Sequence, residues 1–103
     1  MPGSSDLELM SSEFHFLLQS LDATPGSQVR KLREEVNEIE CARLYGDDRA
    51  RVLEEISDLI IVALQLGHFY GADVYEMLTN VESKLWTNLH RDWEIREGVV
   101  KHK

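Results

Sequence analysis

Within this chain of 103 residues, the stretch Leu59–Phe69 is apolar on nearly every side of a helix. Such a helix must be covered on most of its surface. Its longest apolar run, Leu59–Leu64, is far too short to span a bilayer, so the cover has to be protein. A chain of this size forms one domain and buries about 60–70% of its unfolded surface. It lacks the length to wrap such a helix by itself. The expectation is an all-α, antiparallel four-helix bundle-like domain completed by oligomerisation, as a homodimer or homotetramer.

The flanking segments fit that plan. A first helix is expected over about Asp6–Leu21, opened by a Ser5/Glu8 capping box, with Leu7, Met10, Phe14, Leu17, Leu18 and Leu21 on one side and Leu9 and Phe16 on the other. Asp22–Gly26 reads as a loop from its Pro-Gly pair. A second helix is expected from an N-cap at Ser27 to about Tyr45, with a Val29/Leu32/Val36/Ile39 stripe. Gly46-Asp47-Asp48 ends it, and the third helix covers about Arg49–Tyr70. Gly71 suits a left-handed cap, and Asp73/Glu76 start a fourth helix running to about Trp93. The ordered core is placed at about 6–95 within a single domain 1–103. No strand pattern competes, and Gly98–Lys103 is expected to fray.

Lys and Arg total 11 against 19 Asp and Glu, a formal charge of −8. That balance argues against binding a nucleic-acid polymer, where phosphate neutralisation dominates affinity. A small polyphosphate bridged by metal ions remains compatible. The single Cys41 excludes an internal disulfide and a Cys-based zinc site, and it reads as an inert buried thiol. No basic segment followed by an apolar one opens the chain, so a reduced, cytoplasmic, membrane-free setting is expected.

The chemistry concentrates in carboxylates. The second helix carries Glu35 and Glu38, the third Glu55 and Asp58, each pair three residues apart and so on one helical face. Both pairs border the apolar stripes and project into the seam between two helices joined by a short loop. Four converging carboxylates repel one another, and a divalent cation relieves them. Oxygen donors without His or Cys suit Mg²⁺ or Mn²⁺. The plain alternative is a solvated acidic face, as read for Glu40, Glu82 and Glu94. A di-iron site is disfavoured, because none of His15, His68, His90 and His102 has a Glu three residues before it.

The fourth helix carries the opposite charge. Asn80, Lys84, Asn88 and Arg91 form one stripe beside its core face. Lys84 and Arg91 can hold phosphate oxygens, with the two Asn side chains as neutral donors. Lys31 falls on the Glu35/Glu38 face one turn earlier and can do the same. Each also reads as an ordinary exposed residue with helical neighbours.

Lys31-Leu32-Arg33-Glu34-Glu35-Val36-Asn37-Glu38-Ile39 and Glu54-Glu55-Ile56-Ser57-Asp58-Leu59 together resemble the MazG-type nucleotide pyrophosphohydrolases of the all-α NTP pyrophosphatase superfamily. The hallmark of that superfamily is E-x-x-E, a spacer, then E-x-x-D; sixteen residues separate the two halves here. Lys84, Asn88 and Arg91 resemble the phosphate-contacting cluster on the family's following helix. Asn37 stands where members often carry Gly. The resemblance implies Mg²⁺ held by Glu35, Glu38, Glu55 and Asp58, and hydrolysis of a nucleoside or deoxynucleoside triphosphate to the monophosphate and pyrophosphate. Lys84 and Arg91 would then stabilise the leaving pyrophosphate. Glu34, next to a ligand but rotated about 100° from it, is placed to take the proton of the attacking water. His15, Phe16, Phe69, Trp86 and Trp93 are candidates for bordering the base, or else core and subunit-contact residues. The phosphoribosyl-ATP pyrophosphohydrolases share the acidic pattern, and a non-catalytic helical interaction module with solvated carboxylates is the alternative of a different class.

Overall fold

A computed structural model describes the backbone of residues 4–103 and the side chains of residues 6–103. Four helices, α1 (Ser4–Ser20), α2 (Pro25–Leu44), α3 (Arg49–Phe69) and α4 (Val74–Leu89), precede two short strands, β1 (Trp93–Arg96) and β2 (Val99–His102). The domain is all-α in class, as expected, with this small sheet as an addition. The capping box expected at Ser5 rests on a side chain outside the described residues.

Helix α2 starts earlier than the Pro-Gly pair suggested. Thr24 is its N-cap, accepting from the Ser27 N–H, while the Ser27 hydroxyl accepts from the Thr24 N–H at 2.8 Å. Pro25 therefore occupies the first helical turn, where its missing N–H costs nothing. Ser27 is the third residue of the capping box, not the cap. Asp48 caps α3 and Asp73 caps α4 as expected, the latter accepting from the Glu76 N–H at 2.8 Å. Gly71 adopts φ +85°, the left-handed conformation that ends α3.

The fourth helix ends before the expected Trp93, so Arg91 lies beyond it and off its stripe, and Gly98–Lys103 does not fray. Helix α4 stops at Leu89, and the residues beyond form an antiparallel hairpin in which Trp93 faces His102 and Ile95 faces Val100. Its two turn residues, Glu97 and Gly98, both have positive φ (54° and 75°), which matches the twist of the flanking strands. The Trp93 indole N–H donates to the Asn88 carbonyl at 2.6 Å and ties the hairpin to the end of α4.

Helix α2 packs along α3, and α1 lies against the C-terminal half of α3. The α1–α3 seam is polar. The buried Gln65 amide donates to the Ser11 carbonyl at 3.1 Å and to its hydroxyl at 3.0 Å; the same hydroxyl lies 3.0 Å from His68 Nε2. His15 stacks on His68 at 4.9 Å and meets the edge of Phe69 at 4.7 Å. Helix α4 approaches α3 at Gly67, where a Cβ would stand 2.7 Å from the Met77 sulfur. Among the described residues, α4 makes no approach to α2.

Little is buried. Ala42, Val62 and Val74 are the fully covered apolar side chains among the described residues, whereas the Leu7/Met10/Phe14/Leu17/Leu21 row of α1 stays exposed. Helix α3 is not covered all round either: Ile60 and Ile61 stay about half exposed, Ile61 at the edge of a groove that it shares with Leu7, Met10 and Phe14 of α1. Cys41 is exposed, contrary to the sequence reading, since the neighbouring Ala42, about 100° round the helix, takes the buried position.

Candidate metal centre

Helices α2 and α3 are joined by four residues, so they fold back as neighbours and face each other along their length. Glu35 points into the seam and is buried; Glu55 is half-buried and Asp58 exposed. One carboxylate oxygen from each of the three lies within 4.8 Å of the others. Oxygen ligands of a Mg²⁺ octahedron stand about 3–4 Å apart, so small side-chain rotations suffice to close the set on one ion. The donors are all hard carboxylate oxygens, which fits such a cation.

Glu38, exposed one turn beyond Glu35, stands outside this trio but close enough to act on it. The Glu55 carboxyl is pushed above its ordinary value, first by desolvation and then by the charges of Glu38, Asp58, Glu35 and Glu54. Glu55 thus registers all three of the other carboxylates singled out in the sequence. Lys31 is the cation of the site. Its ammonium lies 3.3 Å from Glu34 and 3.3 Å from Glu35, and these hydrogen bonds hold its proton more firmly than usual. Both contacts are within its own helix, one turn along.

Over 82 residues, 79% of this chain and 70% of the relative, the sequence is 35% identical to a dATP/dGTP diphosphohydrolase of Cyanophage S-2L. The chain belongs to this nucleotide diphosphohydrolase family. It is an enzyme, a hydrolase, and in a family of that chemistry an acidic cluster able to hold a metal ion has an immediate use. No family model matches the chain, and no solved structure matches it.

The remaining residues singled out in the sequence are not gathered at the carboxylates within one chain. Asn80, Lys84 and Asn88 line a depression of about 320 Å³ along α4, together with Met77, Val81 and Leu85. Lys84 and Arg91 form no ion pair among the described residues. Of the aromatic candidates, Phe16 and Trp86 are exposed, Trp86 stacks on His90 at 4.1 Å, and His15 and Phe69 belong to the α1–α3 seam. That polar seam, with Gln65 at its centre, was not foreseen. A lone Gln among Leu and Ile on α3 was its signal. Among the described residues no helix is long and apolar enough to cross a membrane.

Proposed function

We propose that the protein is a MazG-type, Mg²⁺-dependent nucleoside triphosphate pyrophosphohydrolase. The observation that carries this reading is the meeting of Glu35, Glu55 and Asp58 across the α2–α3 seam in a chain of the diphosphohydrolase family. Glu35, Glu38, Glu55 and Asp58 would hold the metal, with Mn²⁺ as a substitute. The name of the phage relative directs attention to purine deoxynucleotides, dATP and dGTP, as first substrates.

The reaction consumes one water, breaks the anhydride between the α- and β-phosphates, and releases the monophosphate and pyrophosphate. A divalent cation held by these carboxylates would supply neutralisation of the charge that develops in the reaction. Lys31 orients Glu35 and draws Glu34 to the same side of α2. Glu34, solvent-exposed and beside the trio, accepts the proton of the water. Lys84 and Arg91, with Asn80 and Asn88, receive the pyrophosphate oxygens as charge builds on them. The exposed apolar rows of α1 and α4 support a homodimer or homotetramer; a cytoplasmic setting is part of the same proposal.

A pyrophosphate-release screen across the common ribo- and deoxynucleoside triphosphates, with Mg²⁺ and with chelator, tests the reading. Turnover that requires the metal and yields only monophosphate and pyrophosphate supports it. Absence of turnover on every triphosphate overturns it, and a phosphoribosyl-ATP substrate would replace it.

A further inference from the structure

We infer that the α1–α3 seam is a proton-operated latch: when the stacked pair His15–His68 takes up protons, α1 releases from α3 while the α2–α3 hairpin keeps its fold. The inference is independent of the nucleotide reading.

The seam takes one turn from each helix, Ser11 and His15 from α1 and Gln65 and His68 from α3. Its hydrogen bonds fix where the protons sit. The Gln65 amide donates to the Ser11 oxygen at 3.0 Å, so the hydroxyl has its own hydrogen to place. Among the described residues the acceptor within its reach is His68 Nε2, at 3.0 Å. That nitrogen accepts only while the ring is neutral. Protonation turns it into a donor and strands the hydroxyl hydrogen. His15 Nδ1 is buried without a hydrogen-bond partner. A neutral ring tolerates this better than a cation, whose charged N–H would find no acceptor there. Two charged rings would also repel across the 4.9 Å between their centres.

No carboxylate among the described residues offsets that charge. From Leu59 to Tyr70, α3 carries no Asp or Glu. On α1, Glu13 is turned about 160° away from His15. Glu8 lines a groove with Tyr75 and Glu82 of α4, and Asp22 lies in the turn after α1, seven residues on. The His15 ring is held below its ordinary value by burial and then by His68, with no carboxylate acting on it.

The remaining hold on α1 is thin. Leu7, Met10 and Phe14 stay exposed, and a cavity of about 260 Å³ separates them from Ile61 and Leu64. Helix α2 makes no approach to α1, so its packing along α3 loses nothing when α1 leaves. Gln65 lies seven residues beyond Asp58, about 20° short of two full turns and so on the same side of α3. Release therefore uncovers the face of α3 that continues from the carboxylates.

Amide hydrogen exchange of the full chain in chelator, read by mass spectrometry and corrected for the intrinsic effect of pH, tests the latch. From pH 7.5 to 5.0 the protection of α1 peptides should fall about fivefold or more, because the released helix binds protons more readily than the docked one. Peptides of α2 should keep or gain protection. His68→Gln supplies the Ser11 hydroxyl with an acceptor that does not titrate, and His15→Phe keeps a ring against Phe69. Each variant should lose less than half as much α1 protection on acidification as wild type, whereas Glu8→Gln should respond like wild type. An α1 protection that does not change with pH overturns the proposal. So does an equal loss in all four helices, or a full wild-type response in folded His15→Phe and His68→Gln. The wild-type comparison decides by itself if either histidine variant fails to fold.

Discussion

Lys31 holds the buried carboxylate of Glu35 from one helical turn away, 3.3 Å between Nζ and the oxygen, while its other contact reaches Glu34 at the same distance. Among the described residues, Lys31 is thus the one cation paired with the acidic seam. Lys31→Ala leaves Glu35 covered and without a partner. With half of the lysine side chain exposed to solvent, the expected cost is about 1–2 kcal/mol in chelator. Mg²⁺ should restore most of it, because the ion then compensates Glu35. Thermal melts with and without Mg²⁺ check this. A loss that Mg²⁺ leaves unchanged would show that Lys31 acts by packing.

Asp58→Asn and Glu38→Gln each remove one negative charge from a set that repels. Turnover should fall at least 10²-fold in both, while the metal-free melting temperature holds or rises. Calorimetric Mg²⁺ titration of the two variants should show weakened binding. Near-normal turnover in either would remove that residue from the metal site.

Glu55 sets a pH dependence. Its folded-state value is raised above the ordinary 4.5, so the folded chain keeps this proton more readily than the unfolded chain does. The folded state is therefore penalised as pH rises from near 4.5 through the raised value, and the penalty is complete above it. In chelator, Glu55→Gln should be more stable than wild type at pH 7, and the two should converge near pH 4. Parallel melting curves across that range would refute the assignment.

His15 acts in the opposite direction. Burial, and then the charge of His68 stacked on it, hold its value below the ordinary 6.5. The unfolded chain binds the proton more readily, so stability is full above about pH 6.5 and is lost as pH falls through 6.5 and the lower folded value. Proton NMR should show His15 titrating below the ordinary 6.5. His15→Phe should flatten the stability profile between pH 5 and 7.

What could be read from the sequence was what local spacing determines. Glu35, Glu55 and Asp58 could be brought together on paper because a four-residue connection leaves α2 and α3 little choice but to lie side by side. Thr24-Pro25 was misread because Pro-Gly signals a turn, although Pro at the first helical position after a Thr cap satisfies the same preferences. The signal of the hairpin is Glu97-Gly98, a two-residue turn between Trp93-Glu94-Ile95-Arg96 and the Val-Val pair beyond it, too short a pattern to compete with the helical spacing before it. Asn80, Lys84 and Asn88 could be assigned to one face of α4, but not to a direction in space, and Arg91 falls beyond the helix end. A non-local contact, Met77 on Gly67, sets that direction. The exposure of Ile60 and Ile61 was hidden for a related reason: periodicity reports which side chains need cover, not which chain provides it.

The short connection between α2 and α3 also has a kinetic meaning. Closing a loop of four residues costs the chain little entropy, and α2 and α3 share the most extensive helix packing among the described residues, so the α2–α3 hairpin is the natural nucleus of folding. That same step crowds Glu35, Glu55 and Asp58 together. Their repulsion is thus met at the barrier, before α1 and α4 have docked. A divalent ion should then speed the refolding arm of a denaturant chevron more than it slows the unfolding arm, and Asp58→Asn should accelerate refolding in chelator. The arrangement that serves the chemistry sets the pace at which the chain reaches it.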